Sequence, residues 1–255
     1  MPSFASYPSL EGRTVFVSGG GSGIGASIVE HFAEQEAKVG FVDIDEAAST
    51  ALVKKIAAAG HASPLFLKAD VRDVKAYQAA IAETAAKLGT ITILINNAAR
   101  DDRHDLADVT PDFWDERIAV NLRHQFFAIQ AVAPGMKAAG GGSIVNFSSV
   151  SYHTMTARLS VYEAAKAAVI GLTRGLARDL GPDRIRLNAI TPGWIMTQRQ
   201  IDLWLTPEAE ADLMKAQCLK EKVYPADIAR MALFLASDDS RLITAQNFVV
   251  DGGRM

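Results

Sequence analysis

Short runs of β-branched and apolar residues alternate along this chain with longer alanine-rich stretches. The runs at 14–18, 39–43, 64–68, 91–95, 143–147 and 185–189, with a shorter one at 248–250, predict strands. Apolar residues at three- and four-residue spacings predict helices over 24–35, 46–59 and 74–88. Because the strands are apolar throughout, we expect both of their faces to be covered. The pattern predicts an α/β fold: a single domain over 1–255 with a doubly wound parallel sheet and helices on both faces.

Composition and charge exclude several classes of protein. The 255 residues include 26 Lys and Arg against 29 Asp and Glu, a net charge of −3, without the basic excess typical of nucleic-acid binding. No run reaches the ~18 apolar residues that cross a bilayer, and the first ten residues lack a secretory signal pattern. The single cysteine, Cys218, suits a reducing compartment, and the five histidines fall in no metal-ligand motif. We therefore expect a soluble cytoplasmic protein with no metal, no nucleic-acid partner and no membrane partner.

A glycine-rich segment lies between the first predicted strand and the first predicted helix. It runs Ser18-Gly-Gly-Gly-Ser-Gly-Ile-Gly25 and allows two alignments, Gly19-x-x-x-Gly23-x-Gly25 and Gly21-x-Gly23-x-x-Ala26. Glycines let the backbone approach a pyrophosphate, whose charge then lies at the helix N-terminus. The segment predicts a dinucleotide site in a Rossmann-type sheet. Such sites lie beyond the carboxyl ends of the strands.

Asp43 ends the second predicted strand, close to the ~20-residue offset from the glycines at which a ribose-binding acid is expected. A carboxylate there can accept hydrogen bonds from both hydroxyls of the adenosine ribose, and it repels a 2′-phosphate. Neither the glycine segment nor residues 44–46 contain Arg or Lys to hold such a phosphate. The sequence therefore predicts NAD, not NADP, as the cofactor.

Several motifs, in order and at the right spacing, resemble the short-chain dehydrogenase/reductase family along nearly the whole chain. They are Gly19-x-x-x-Gly-Ile-Gly25, Asp70-Val71, Asn96-Asn-Ala-Ala99, Asn121, Ser149, Tyr162-x-x-x-Lys166 and Pro192-Gly193-x-x-x-Thr197. Ser18 and Ala99 depart from the family, which usually has Thr and Gly there. The resemblance implies a catalytic set of Asn121, Ser149, Tyr162 and Lys166. It also implies cofactor contacts by Gly19, Ser22, Gly23, Ile24, Asp43, Ile44, Asp70, Val71, Asn97, Ala98, Tyr162, Lys166, Pro192, Gly193, Ile195 and Thr197.

Tyr162 and Lys166 are four residues apart, so on a helix they share one face. A tyrosine titrates near pH ~10 and is a poor base at neutral pH, but an adjacent ammonium or an oxidised nicotinamide lowers its pKa. The resemblance implies that Tyr162 removes the substrate hydroxyl proton and that Lys166 holds the nicotinamide ribose.

Two further polar residues are candidates beside this pair. Ser149 follows the fifth predicted strand, and its hydroxyl can hydrogen-bond the reacting oxygen. Ser148 is the alternative, and the family register favours Ser149. Asn121 lies inside a predicted helix. In the family, the asparagine at this position supports a water-linked proton relay behind the lysine.

The segments that follow the fourth, fifth and sixth predicted strands are polar, at 100–104, 149–154 and 198–200. They can satisfy the hydroxyls of a small polar substrate, although the alternative is that they face solvent. The runs at 101–110, 114–118, 121–124, 131–137 and 216–220 resemble bacterial sugar 1-dehydrogenases that act on xylose, arabinose or related aldoses. The resemblance implies oxidation of the anomeric hydroxyl to an aldonolactone. Candidate sugar contacts are Ser149, Ser151, His153, Tyr162, Arg103, Trp194 and Gln198.

Two other functions fit the same motifs. The first is an NAD(P)-dependent alcohol dehydrogenase or carbonyl reductase on a non-sugar substrate, such as a keto acid or keto ester. Asp43 argues against it, because NAD usually serves catabolic oxidation. The second is a non-catalytic nucleotide-binding regulator, for which loss of Tyr162 or Lys166 would be expected. By resemblance, we also expect a homo-oligomer, a dimer or tetramer, formed through the alanine-rich helix at 163–175, and a small-molecule sugar as the partner.

Overall fold

The computed structural model describes residues 4–255. Within them, seven parallel strands form one sheet in the order β3-β2-β1-β4-β5-β6-β7. The strands are β1 (Thr14–Ser18), β2 (Lys38–Asp43), β3 (Leu65–Lys68), β4 (Ile91–Asn96), β5 (Gly142–Phe147), β6 (Ile185–Pro192) and β7 (Asn247–Val250). The strand order runs outward in both directions from β1 and β4, which is the doubly wound topology. The predicted fold class is confirmed.

Helices cover both faces of the sheet. They are α1 (Gly23–Glu34), α2 (Glu46–Ala58), α3 (Val74–Leu88), α4 (Pro111–Ile118), α5 (His124–Ala138), α6 (Ser151–Thr154), α7 (Ser160–Leu180), α8 (Gln198–Trp204), α9 (Pro207–Ala216) and α10 (Pro225–Ala236). Buried side chains of α1, α2 and α10 form one core with Val15 and Val17 of β1. Those of α3, α5 and α7 form the other core with Phe16. Successive residues of β1 thus enter opposite cores, which explains why the strands are apolar throughout.

Threonine caps begin two of the helices, at the Thr-Pro dipeptides of the sequence. The Thr110 hydroxyl accepts a hydrogen bond from Phe113 N at 3.2 Å, and Thr206 accepts one from Ala209 N at the same distance. In each case, the proline takes the first helical position, where its missing N–H removes no helical hydrogen bond.

A third Thr-Pro dipeptide, Thr191-Pro192, ends β6. Thr191 pairs with Val249 and Pro192 with Val250. The ladder between β5 and β6 ends earlier, at the pair of Phe147 and Ile190, so the missing N–H of Pro192 lies beyond it. A proline is therefore tolerated at this strand end.

Three features of the described residues bear on the wider class of the protein. Across 4–255, no helix combines the length and the apolar composition needed to cross a membrane. No group of three or more His, Cys, Asp or Glu side chains in that range is arranged to hold a metal ion. Cys218 is a free and exposed thiol.

Candidate active site

A cleft of about 660 Å³ lies at the carboxyl edge of the sheet, in the size range typical of ligand sites. The segments that follow β1 to β6 line it. The chain leaves β1 and β4 toward opposite faces, and this divergence opens the cleft. It brings together many of the predicted residues: Gly19, Ser22, Ile24, Asp43, Ile44, Asp70, Val71, Asn97, Ala98, Arg103, Ser149, Ser151, Tyr162, Lys166, Pro192, Gly193, Trp194, Ile195 and Thr197.

Two predicted substrate contacts lie outside the cleft lining. His153 is exposed, and its ring packs against Tyr152 with the ring centroids 4.0 Å apart. Gln198 donates through Nε2 to Asp202 Oδ1 at 2.7 Å along the exposed side of α8. Gln200 and Trp204 of the same helix line the cleft instead. The rotation of α8 about its axis, set by tertiary packing, turns Gln198 away.

The glycine segment forms a tight turn that fits a pyrophosphate. Gly19 and Gly23 have φ of 66° and 55°, a region that side chains disfavour. A Cβ on Gly25 would lie 1.8 Å from the carbonyl oxygen of Gly19. Glycine is therefore needed at Gly19, Gly23 and Gly25, and also at Gly21, where a Cβ would lie 2.5 Å from Ser49 Oγ. Gly23 itself begins α1 and lies outside the cleft lining, while Ser22 caps the helix at the cleft.

Asp43 has a structural role that the sequence did not reveal. Its Oδ2 accepts a hydrogen bond from Gly21 N at 2.8 Å, and its Oδ1 accepts one from Asp45 N at 3.0 Å. A carboxylate has about four lone-pair sites, so acceptor capacity remains for ribose hydroxyls. The same side chain thus holds the glycine segment and lines the cleft where a ribose would lie.

A pair of opposite charges lies at the part of the cleft formed after β3. Arg72 donates to both carboxylate oxygens of Asp70, with the shortest contact at 2.6 Å, and pairs with Glu116 at 2.5 Å. These hydrogen bonds from Arg72 lower the pKa of Asp70. Since its guanidinium is occupied by two carboxylates, Arg72 offers little free charge for a phosphate.

Ser18 and Asn97 fasten the glycine segment to β4. The Ser18 hydroxyl accepts hydrogen bonds from Asn97 N and Ala98 N, each at 3.1 Å. Asn97 Nδ2 in turn donates to the carbonyl oxygens of Ser18 and Gly19 at 3.1 and 2.9 Å. The loops that follow β1 and β4 are therefore held in one arrangement at the centre of the cleft.

Tyr162 and Lys166 lie one turn apart on α7, as their spacing predicted. Lys166 is 1% exposed, and its Nζ donates to the Phe147 carbonyl oxygen at 2.8 Å. Burial lowers the pKa of Lys166 to about 7. Burial also raises the pKa of Tyr162, and the negative charge of Asp101 adds to the rise. This direction is opposite to the expected lowering of the Tyr162 pKa, because desolvation of the phenolate outweighs the Ser149 hydrogen bond and the Arg103 charge, which both act to lower it.

The two serines after β5 have different surroundings. Ser148 is buried and donates its hydroxyl hydrogen to the Lys166 carbonyl oxygen at 2.7 Å. Ser149 lines the cleft beside Tyr162, where its hydrogen bond opposes the rise of the Tyr162 pKa. The geometry therefore favours Ser149 at the reacting oxygen, while Ser148 fastens α7 to β5.

Asn121 lies behind the cleft, not in its lining. It belongs to a π-helical turn, Ala119–Arg123, between α4 and α5. Its Oδ1 accepts from Arg100 N at 2.9 Å, and its Nδ2 donates to the carbonyl oxygens of Arg100 and Arg117 at 3.1 and 3.0 Å. Asn121 thus positions the loop that follows β4.

Comparison with known proteins agrees with this geometry. A protein-family model described as enoyl-(acyl carrier protein) reductase matches residues 19–254. The chain is 53% identical to a protein named probable galactose dehydrogenase from Rhizobium meliloti, covering 98% of this chain and 97% of the relative. It is 49% identical to D-xylose 1-dehydrogenase from Caulobacter vibrioides, covering 98% and 99%. A solved structure of 7α-hydroxysteroid dehydrogenase with NADH matches with a TM-score of 0.91 and 31% identity, covering 97% and 96%. The chain belongs to the short-chain dehydrogenase/reductase family.

Membership of the short-chain dehydrogenase/reductase family makes this chain an oxidoreductase, and the family uses a nicotinamide cofactor. Serine at position 18 is an adequate replacement for threonine, because its hydroxyl oxygen still accepts a hydrogen bond from Asn97 N after β4. At the second departure, Ala99 lines the cleft with a side chain of one carbon. Neither replacement closes the cofactor cleft.

The substrate end of this short-chain dehydrogenase contains Asp101 and Gln200, which lie in the predicted polar segments 100–104 and 198–200 but were not among the individual candidates, and Trp204, which lies outside those segments. Asp101, Gln200 and Trp204 line the cleft beside Tyr162. Gln200 Nε2 donates to Asp101 Oδ2 at 2.9 Å, and the Arg103 guanidinium lies 4.9 Å from the centre of the Trp204 ring. The four-residue spacing of Gln200 and Trp204 places them on one helical face and could have identified them as a pair.

Proposed function

We propose that this protein oxidises an aldose, a pentose or a galactose- or fucose-type sugar, at C1 to the aldonolactone with NAD as hydride acceptor. The main support is the polar end of the cleft, where Asp101, Arg103 and Gln200 line the same cavity as Tyr162. Such side chains can bond several hydroxyls at once. The relatives named for galactose and D-xylose support the same substrate class.

The chain's own residues supply binding and proton transfer. The glycine segment would hold the pyrophosphate, Asp43 the adenosine ribose, Asp70 and Val71 the adenine, and Lys166 the nicotinamide ribose. The main-chain and side-chain groups of Asn97, Ala98, Pro192, Gly193, Ile195 and Thr197 would complete the cofactor site. When bound, NAD accepts the hydride that leaves C1. Tyr162 removes the proton from O1, and Ser149 donates a hydrogen bond to the same oxygen.

The preference for NAD over NADP is argued from charge. The Asp43 carboxylate lines the cleft, and a 2′-phosphate beside it would be repelled by about 1–4 kcal/mol, depending on screening. Arg72, the cation nearest in sequence to the adenine segment, is paired with Asp70 and Glu116. Solved structures similar to this chain include one with NADH and one with NADPH, so this preference rests on Asp43.

We also propose a homo-oligomer, a dimer or tetramer, that acts in the cytoplasm. The exposed face of α7 carries small residues, Ala164, Ala167, Ala168, Gly171 and Gly175, which allow close approach of a second helix. Light scattering that returns a mass two or four times that of the chain would support this assembly. A monomer at micromolar concentration would contradict it.

A substrate panel tests the proposed reaction. Pentoses, hexoses and 6-deoxyhexoses are each assayed with NAD and with NADP, and formation of the reduced cofactor is followed by absorbance. We expect the highest kcat/KM with an aldose and NAD. No activity on any sugar, with turnover of secondary alcohols or ketones, would favour the non-sugar alcohol dehydrogenase or carbonyl reductase instead.

A further inference from the structure

Asp101 lies between α8 and the reacting tyrosine. It follows β4, lines the cleft, and has a side chain that is 22% exposed. From α8, Gln200 donates to its Oδ2 at 2.9 Å, and Arg199 lies 3.4 Å from its Oδ1. Burial is the larger cause of the pKa shifts of Tyr162 and Lys166, and the Asp101 charge adds to the rise at Tyr162 and opposes the fall at Lys166, as expected for a carboxylate close to both. Asp101 is thus positioned at the reaction centre, not on the outer surface.

The Asp101 carboxylate keeps unused acceptor capacity. Two of its approximately four lone-pair sites are occupied by the donors from α8, so about two remain for a ligand in the cleft. The neighbouring Arg103 supplies the complementary group. Its Nη1 is buried and has no hydrogen-bond partner within residues 4–255. A carboxylate with spare acceptor capacity and an unpartnered guanidinium nitrogen therefore line the same cleft as Tyr162, without pairing with each other.

A sugar hydroxyl matches this pair, because it donates one hydrogen bond and accepts another. Tyr162 receives the proton of the hydroxyl that is oxidised. The group that reaches Asp101 and Arg103 is then the hydroxyl on the neighbouring carbon. A simple apolar alcohol would leave Arg103 Nη1 and the remaining acceptor sites of Asp101 without partners in a site closed to water, which is energetically unfavourable.

We propose, on the basis of the function proposed above, that Asp101 determines substrate specificity by accepting a hydrogen bond from the hydroxyl next to the oxidised carbon. Arg103 donates to the oxygen of that hydroxyl. Gln200 is a positioning residue that holds the Asp101 carboxylate toward the cleft. The site therefore selects 1,2-dihydroxy arrangements and disfavours both apolar alcohols and anionic substrates.

The test compares D-galactose with 2-deoxy-D-galactose in the wild type and in Asp101→Asn. We expect the wild type to prefer D-galactose by about 100-fold or more in kcat/KM, and Asp101→Asn to reduce that ratio below about 10-fold. The matched control is Asp105→Asn, which makes the same charge change on the same loop. Asp105 is exposed, pairs with Arg158 at 2.8 Å and does not line the cleft. We expect Asp105→Asn to keep the wild-type ratio of kcat/KM for D-galactose over 2-deoxy-D-galactose.

The pH profile supplies a readout that a purely structural role would not change. Because the Asp101 charge raises the pKa of Tyr162, its removal moves the acidic limb of kcat to lower pH. Asp105→Asn leaves that limb in place. NADH titration and thermal unfolding of both variants check that cofactor binding and folding are retained.

A second variant keeps the proposal testable if Asp101→Asn does not fold. Gln200→Leu removes the donor that holds Asp101 from α8. We expect its KM for D-galactose to rise about tenfold with kcat within about threefold, and its kinetics on 2-deoxy-D-galactose to stay within about threefold. An Asp101→Asn enzyme that keeps the wild-type ratio would overturn the role of Asp101. Wild-type enzyme that is inactive on every aldose would instead overturn the proposed function.

Discussion

The ammonium nitrogen of Lys166 lies 5.6 Å from the centre of the Tyr162 ring. It donates a hydrogen bond to the Phe147 carbonyl oxygen at the end of β5. Both groups are desolvated, which raises the pKa of Tyr162 and lowers that of Lys166 to about 7. The base role proposed for Tyr162 therefore depends on added positive charge, such as that of oxidised nicotinamide.

Replacement of Tyr162 by Phe removes the proposed base while keeping the ring. We expect turnover to fall by about 10²–10⁴-fold, the typical contribution of a general base. Binding of NADH should change by less than about threefold, because the rest of the cofactor cleft is untouched. Steady-state rates measure the loss of turnover, and a fluorescence titration measures NADH binding. Substantial remaining activity would refute the assignment.

Substitution of the two serines after β5 should affect different properties, kcat at Ser149 and the free energy of unfolding at Ser148. Ser149→Ala is expected to lower kcat by about 10²-fold with little change in the free energy of unfolding. Ser148→Ala leaves the buried Lys166 carbonyl oxygen without its hydroxyl donor and should lower that free energy by about 1–3 kcal/mol. Urea denaturation and steady-state kinetics on both variants test this. The reverse pattern would move the catalytic role to Ser148.

Asp43→Asn tests cofactor preference. The substitution removes the charge that repels a 2′-phosphate, so the ratio of kcat/KM for NAD over NADP should fall by about tenfold or more. The asparagine oxygen can still accept from Gly21 N, which keeps the glycine segment in place. The sugar KM at saturating cofactor serves as the internal control. An unchanged ratio would mean that another part of the cleft selects the cofactor.

His124 should make stability depend on pH. It is fully buried beside Tyr77 and near Lys166, and burial lowers its pKa to about 3. Below pH ~6.5, the unfolded chain binds a proton at this residue and the folded protein does not, so stability falls as pH falls toward 3. Between pH 6 and 4, the wild type should lose about 1 kcal/mol per pH unit more than His124→Asn. Urea midpoints at several pH values measure this, and parallel curves would contradict it.

Local patterns predicted the sheet and the placement of Tyr162 and Lys166 on one helix. The strands were recognisable because burial on both faces leaves a continuous apolar run of a few residues. Tyr162 and Lys166 could be paired because a four-residue spacing on a helix fixes their relation without any tertiary contact. The glycine segment allowed two alignments, and the structure needs the glycines of both: Gly19 and Gly23 have positive φ, while Gly21 and Gly25 have no room for a Cβ.

Other positions depended on contacts between distant parts of the chain. Gln200, not Gln198, lines the cleft because of how α8 is rotated against the loop after β4. The sequence of residues 198–200 does not reveal that rotation. Asp101 joins the site through partners almost one hundred residues away. The pKa of Tyr162 likewise depends on how deeply α7 is buried.

Taken alone, the amino-acid sequence determined the alternation of strands and helices, the nucleotide turn, and the spacing of the Tyr162 pair, because each depends on residues that are near neighbours in the chain. Tertiary structure alone decided which faces of α6 and α8 meet the cleft and how charge and burial balance at Tyr162. Those outcomes depend on desolvation and on distances between segments, which are set when the helices pack on the sheet.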